Sequence, residues 1–228
     1  MKLSLSESIL HFMQKLSELV VSAGLGQRIF SDRELAWVIE GSAQRRYNLV
    51  NRALKAGELV RLSRGLYMLE PSISGVRPHS FVVAQALRPG SFVSFESALS
   101  WHGCIPEAVR QVRSVTPGRR SARFDVPGYG EFRFFPLAVK PGQLLAGVER
   151  HELDAGVALV AAPLRALFDL CCCLKIEVDA LADFVGGLRM NPEWLAKLTA
   201  ADIHRYNDVY RFRKMKTIVE RLAEEVAA

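Results

Sequence analysis

Hydrophobic positions recur at helical spacing near the start of the chain. Ile9, Phe12, Met13, Leu16, Leu19 and Val20 predict a first helix over residues 5–22, ended by Gly24 and Gly26. The stretch "SDRE" then reads as a capping box: Ser31 caps a second helix while Glu34 reaches back to it. Leu35, Ala36, Val38 and Ile39 are expected to face inward, and Gly41 to stop the helix. Ser42 caps a third helix that runs to about Ala56 and is closed by Gly57. Two apolar runs follow, "ELVRL" and "GLYML", separated by Ser63–Arg64–Gly65. They predict a hairpin, with Gly65 at a turn position where positive φ costs little. Helix, helix, short turn, helix and hairpin is the order of a winged helix-turn-helix.

Residues 70–80, rich in Pro, Ser and Gly, read as a linker. Beyond it, Phe81–Leu87 and Ser94–Trp101 are predicted helices. "RQVRSVTP", "ARFDVP", "GEFRFFPLA" and "GVALVA" are strand-like runs separated by Pro/Gly turns. Pro163 opens a helix through Leu174, another begins over 178–186, and one long last helix is expected over Ala200–Val226. The fold class is therefore α+β: a winged helix-turn-helix over residues 1–76, followed by a mixed α+β domain over 77–228.

Charge is concentrated in the first of these. Ser42–Tyr67 holds six basic residues (Arg45, Arg46, Arg52, Lys55, Arg61, Arg64) against Glu58, so it carries +5 of the chain's +6. A local excess of this kind asks for a polyanion, here double-stranded DNA. Ala43, Tyr47, Val50 and Leu54 form the expected core stripe of the third helix. Leu49 falls towards the exposed side and is accounted for only by a dimer or interdomain contact. Ser42, Gln44, Arg45, Arg46 and Asn48 are the candidates to meet base edges, since Arg pairs with guanine and Asn or Gln with adenine. Arg52, Lys55, Arg61, Ser63 and Arg64 are the candidates to meet phosphate.

With these residues the chain resembles the AbiEi-type antitoxins. "FSDRELAWVI…RRYNLVNRALKAGELVRLSRGLYML" is similar to that family's Leu-rich second helix and its "LxxLxxxGxLxRxxRGxYxL" third helix and wing. "VSFESALSWHGCIPEAVRQVRSVTPGR" and "AAPLRALFDLCCCL" resemble two later segments, so the likeness spans residues 8–174 in three ordered blocks. The resemblance implies the antitoxin of a type IV toxin–antitoxin system, which binds and represses its own promoter. It also implies a C-terminal domain that opposes a nucleotidyltransferase toxin, AbiEii, without a stable inhibitory complex. Leu164–Arg165 stands where the family commonly has Glu–Lys, which leaves any role of that acidic residue without a carrier here.

Other features narrow the function classes. No apolar run approaches the roughly 18–20 residues of a membrane span, and the N-terminus reads as an amphipathic helix rather than a signal peptide. Cys104, Cys171, Cys172 and Cys173 lack zinc spacing and read as apolar residues of a reduced, cytoplasmic protein. No metal or other cofactor is expected. His102 in "SWHGCIPE" reads as a part-buried ring beside Gly103, with Glu96 and Glu107 as possible polar neighbours and no second histidine at metal spacing. Neither a P-loop nor GxSxG occurs, and no catalytic residue is proposed. Two further basic groups remain, Arg110–Arg123 and the residues of the last helix. Arg211, Arg213, Lys214 and Lys216 there, interleaved with Tyr206, Tyr210 and Phe212, are candidates for an antitoxin surface or an RNA contact; the aromatic residues read equally as core. The expectation is a non-enzymatic antitoxin that also represses transcription. The alternatives are a stand-alone winged-helix regulator with a ligand-sensing or dimerising C-terminal domain, and a nucleic-acid-processing enzyme.

Overall fold

The structure, a computed structural model, describes residues 15–107 and 110–227. It is α+β, with a three-stranded and a six-stranded sheet. The chain begins with helix α1 (Leu16–Ser22), strand β1 (Phe30–Ser31), α2 (Asp32–Val38), α3 (Ala43–Lys55) and the hairpin β2 (Leu59–Ser63) and β3 (Leu66–Leu69). The rest of the predicted first helix, residues 5–14, lies outside the described residues.

Local signals set the boundaries of these helices. At α2 the Ser31 hydroxyl accepts from the Glu34 amide and Glu34 accepts from the Ser31 amide at 2.7 Å, a full capping box. Burial pushes the Glu34 carboxyl up, but the Ser31 bonds and Arg28 outweigh it and hold its pKa below the usual carboxylate range. The Ser42 hydroxyl caps α3 by accepting from the Arg45 amide. Gly57, at φ +69°, takes the left-handed position that ends it.

The hairpin joins the two halves of the molecule. Strand order in the small sheet is β1-β3-β2, all antiparallel. Leu59, Tyr67 and Leu69 face a core made with α1, α2 and α3, among them Leu16, Val20, Phe30, Leu35 and Ile39. Side chains of a strand alternate between faces, so Met68 points the other way. The register shift between Arg61 and Ser63 turns Leu62 with it. Leu62 and Met68 belong to the larger core of the following residues.

That core surrounds the six-stranded mixed sheet, of order β6-β7-β5-β4-β9-β8. Its strands are β4 (Phe92–Val93), β5 (Val112–Thr116), β6 (Ala122–Val126), β7 (Gly130–Pro136), β8 (Val148–Leu153) and β9 (Gly156–Ala161). The helices of this part are α4 (Pro71–Ser74), α5 (Ser80–Leu87), α6 (Phe95–Trp101), α7 (Pro163–Leu174), α8 (Leu181–Gly187), α9 (Pro192–Leu195), α10 (Ala200–His204) and α11 (Arg213–Ala227). α4 is a single turn inside the predicted linker. β4 and β8 were not expected: β4 is two residues long, and β8, "VERHEL", is an edge strand too polar to read as one.

The expected long last helix is two helices. Between α10 and α11 the chain pairs by backbone with residues 138–140: Lys140 N donates to Val209 O and Arg211 N to Ala138 O, both at 2.8 Å. A continuous helix would deny those bonds. The extended segment carries Tyr210 into the core, where its hydroxyl donates to Asp169 at 2.7 Å. Tyr206 is buried as well, while Phe212 stays half exposed.

Asp169 also accepts from Ser94 Oγ at 2.7 Å and Arg165 Nε at 2.8 Å, all within the protein interior. Arg165 Nη1 reaches the carbonyls of Ala146 and Gln143. Burial raises the pKa of Asp169, opposed by Arg165 and by the hydroxyls of Tyr210 and Ser94. This network ties α7 to the loop before β8 and to the segment before α11.

Candidate nucleic-acid interface

α3 is turned about its axis from the expected orientation. Leu49, Val50 and Ala53 are its buried residues, whereas Tyr47 is 64% exposed and Ala43 is exposed. Leu49 is thus a core residue, and the predicted stripe of Ala43, Tyr47, Val50 and Leu54 holds only in its second half. The reason is coverage: the buried residues lie toward the C-terminal end of α3, while residues 43–48 are exposed or half-buried and project further from the body. In α2, Ala36 is likewise exposed, with Leu35 and Ile39 carrying the contact.

The projecting turns and the hairpin enclose a groove of about 740 Å³, lined in part by Arg46, Tyr47, Asn51, Arg61, Arg64 and Tyr67. Arg61 lies over the Tyr67 ring at 5.8 Å. Gly65 closes the hairpin at φ +76°, a conformation that side chains rarely adopt, and a Cβ there would come within 2.9 Å of the Asp32 carboxylate and displace it. Asp32 is the acidic residue of the groove; burial first and this carboxylate second raise the Tyr67 phenol, against Arg61.

Among the described residues, Arg45, Arg46, Lys55, Arg61 and Arg64 have no carboxylate within salt-bridge distance. Arg46, Arg61 and Arg64 line the groove, while Gln44, Asn48, Arg52 and Lys55 are exposed on the helix. Arg45 and Ser63 are half-buried, and the Ser42 hydroxyl is engaged in its cap. Gln44 Nε2 donates to Asn48 Oδ1 at 3.1 Å, which holds two amides side by side on the outer face. Cationic guanidinium groups beside paired amides can meet both phosphate and base edges. Tyr47 and Asn51 join this surface. Reading Leu49 as core would have revealed them, since it rotates the helix by the required amount.

The C-terminal basic residues are differently placed. Arg113 pairs with Glu96, Arg123 and Arg133 with Glu131, Arg189 with Glu107 and Lys214 with Glu177. Lys216 lies 3.8 Å from Glu220. Of the four antitoxin-surface candidates, Arg211 and Arg213 are exposed and outside every ion pair among the described residues. Tyr206 and Tyr210 are core and do not interleave with them on the surface.

Glu96 and Glu107, the expected neighbours of His102, are engaged elsewhere. His102 is the C-cap of α6, followed by Gly103 at φ +68°. Its companions are Glu149 and His151 of β8. The cysteines are free, and burial raises the thiol of Cys104 to about 11 and those of Cys171 and Cys172 to about 12. At neutral pH they are protonated and unreactive.

No family model matches the chain, and no curated protein matches it. Among solved structures it is similar to the RV2827C protein from Mycobacterium tuberculosis, at 14% identity over 92% of this chain and 80% of that one, with a TM-score of 0.44. Among the described residues no helix is long and apolar enough to cross a membrane.

Proposed function

We propose that the chain is a cytoplasmic, non-enzymatic antitoxin of the AbiEi type. Its N-terminal region acts as a winged helix-turn-helix that binds and represses its own promoter, and its C-terminal domain counteracts a nucleotidyltransferase toxin. The observation that carries this reading is the groove between α3 and the β2–β3 wing, lined by Arg46, Arg61 and Arg64 with no carboxylate paired to them among the described residues. Cations held in a concave surface without a neutralising carboxylate raise the local concentration of a polyanion. α3 then serves as the recognition helix, with Gln44, Arg45 and Asn48 toward base edges and Arg46, Arg52, Lys55, Arg61 and Arg64 toward phosphates. The three-block resemblance over residues 8–174 supports the toxin–antitoxin assignment.

A reporter driven by the DNA upstream of this gene tests the first half: co-expressed wild-type protein lowers its output, and Arg61→Ala/Arg64→Ala restores it. Co-expression with a nucleotidyltransferase toxin, where one is encoded beside the gene, tests the second half through growth rescue. If no such toxin is encoded there and repression persists, the chain is a stand-alone regulator. That second reading is favoured by a cavity of about 610 Å³ in the C-terminal domain, where Arg110 lines a wall beside the Glu96–Arg113 and Glu131–Arg133 ion pairs.

A further inference from the structure

We propose that His102, Glu149 and His151 form a binding site for a divalent transition metal, with Zn²⁺ the best-suited ion. The three side chains come from two elements that meet at the end of the six-stranded sheet. Glu149 and His151 are two residues apart on edge strand β8, so they project from the same face. His102 comes from the C-terminal end of α6, which lies over that face.

The donor atoms are close. All three groups offer ligand atoms within 4.8 Å of one another. His151 Nε2 is 3.4 Å from Glu149 Oε2, and roughly 3.3–3.5 Å is the donor–donor edge of a tetrahedron with zinc bonds of about 2.0–2.1 Å. His151 Nε2 is buried and makes no hydrogen bond. Glu149 has no Lys or Arg partner among the described residues, because the neighbouring Arg150 pairs with Glu152 instead.

The surroundings suit ligation. His102 Nε2 lies 3.0 Å from the Ala161 carbonyl. A carbonyl only accepts, so Nε2 carries the proton and Nδ1 keeps the lone pair. An imidazole whose far nitrogen donates to a backbone carbonyl is the usual arrangement of a metal-bound histidine. Burial lowers the pKa of His102, against the Ala161 carbonyl and Glu149. The His102 and His151 rings lie 6.0 Å apart, and Trp101 meets His151 edge-on at 5.9 Å, forming an apolar wall. Two imidazoles and one carboxylate make a borderline donor set that favours zinc over calcium or magnesium, and they leave a fourth position open.

The test uses full-length, untagged protein freed of metal by chelation and titrated with ZnCl₂, then with CoCl₂ for its visible spectrum. The proposal expects one saturable equivalent, a four-coordinate cobalt spectrum without thiolate charge-transfer absorption, and a zinc-dependent rise in melting temperature. His151→Gln and Glu149→Gln should each weaken binding by about tenfold or more, and neither should alter the circular dichroism of the metal-free protein. Glu149→Gln is exposed and serves if His151→Gln fails to fold. The proposal is overturned if zinc does not saturate, if both variants bind as the wild type does, or if binding is lost instead in Cys172→Ser/Cys173→Ser.

Discussion

Residues 42–67 and residues 110–133 each contain six basic side chains, but their surroundings differ. In the second stretch Arg113, Arg123 and Arg133 are each paired with a glutamate, two of them sharing Glu131. In the first, Arg45, Arg46, Lys55, Arg61 and Arg64 have no such partner among the described residues. The cause lies in the local sequence. α3 contains no acidic residue in its thirteen positions, whereas β6 and β7 set Arg123 across from Arg133 with Glu131 two positions along, on the same face. Clustered positive charge is therefore a guide to a ligand only where the fold brings no carboxylate to it.

Breaking the paired side of the comparison should cost the most. Asp169→Ala leaves Arg165 buried without its carboxylate, and urea unfolding should show a loss of about 3–5 kcal/mol, with α3 and its groove unchanged in sequence. If stability is retained, the buried pair does not organise the C-terminal core. On the unpaired side, Asn48→Ala and Arg45→Ala should each cost roughly 1–3 kcal/mol of binding at one base pair. Binding to operator duplexes mutated one position at a time would show it, with melting temperatures unmoved because Asn48 is exposed and Arg45 half-buried. Equal losses on every duplex would assign these residues to phosphate.

Removing a cap should have a smaller effect. Ser31→Ala removes the hydroxyl half of the α2 capping box and keeps the backbone amide bond to Glu34, and chemical denaturation should register about 1 kcal/mol. A pH titration sharpens the contrast further. Burial lowers the pKa of His102 below its unfolded value of about 6.5, so the unfolded chain binds the extra proton first. The resulting stability is complete above that value and is lost as the pH falls through the folded pKa. Thermal melts from pH 7.5 to 5 should decline, and less steeply in His102→Gln. Arg123→Ala, on an exposed ion pair, should change stability by less than about 1 kcal/mol.

Much of the N-terminal region was readable from sequence because its signals are local. Ser31 with Glu34, Ser42, Gly57 and Gly65 each act within a few residues and fix helix ends and the hairpin turn. The rotation of α3 was not readable, since it depends on which turns the rest of the molecule covers. The break in the last helix depends on Tyr210 reaching Asp169, 41 residues away in sequence. β8 escaped notice because an edge strand with one covered face tolerates Glu, Arg and His. For the same reason His102 had no visible companions: Glu149 and His151 reach it only once β8 is paired with β9.

The groove of α3 and the hairpin is the surface proposed to meet DNA, and the salt dependence of binding tests that most directly. Fluorescence anisotropy of full-length protein on duplex DNA from upstream of its gene gives the slope of log K against log salt. Arg61→Ala/Arg64→Ala should reduce that slope by about 1.8, two phosphate contacts at roughly 0.9 each, while Arg211→Ala/Arg213→Ala leaves it unchanged. An unaltered slope in the groove variant, or an equal reduction in the C-terminal one, would contradict it.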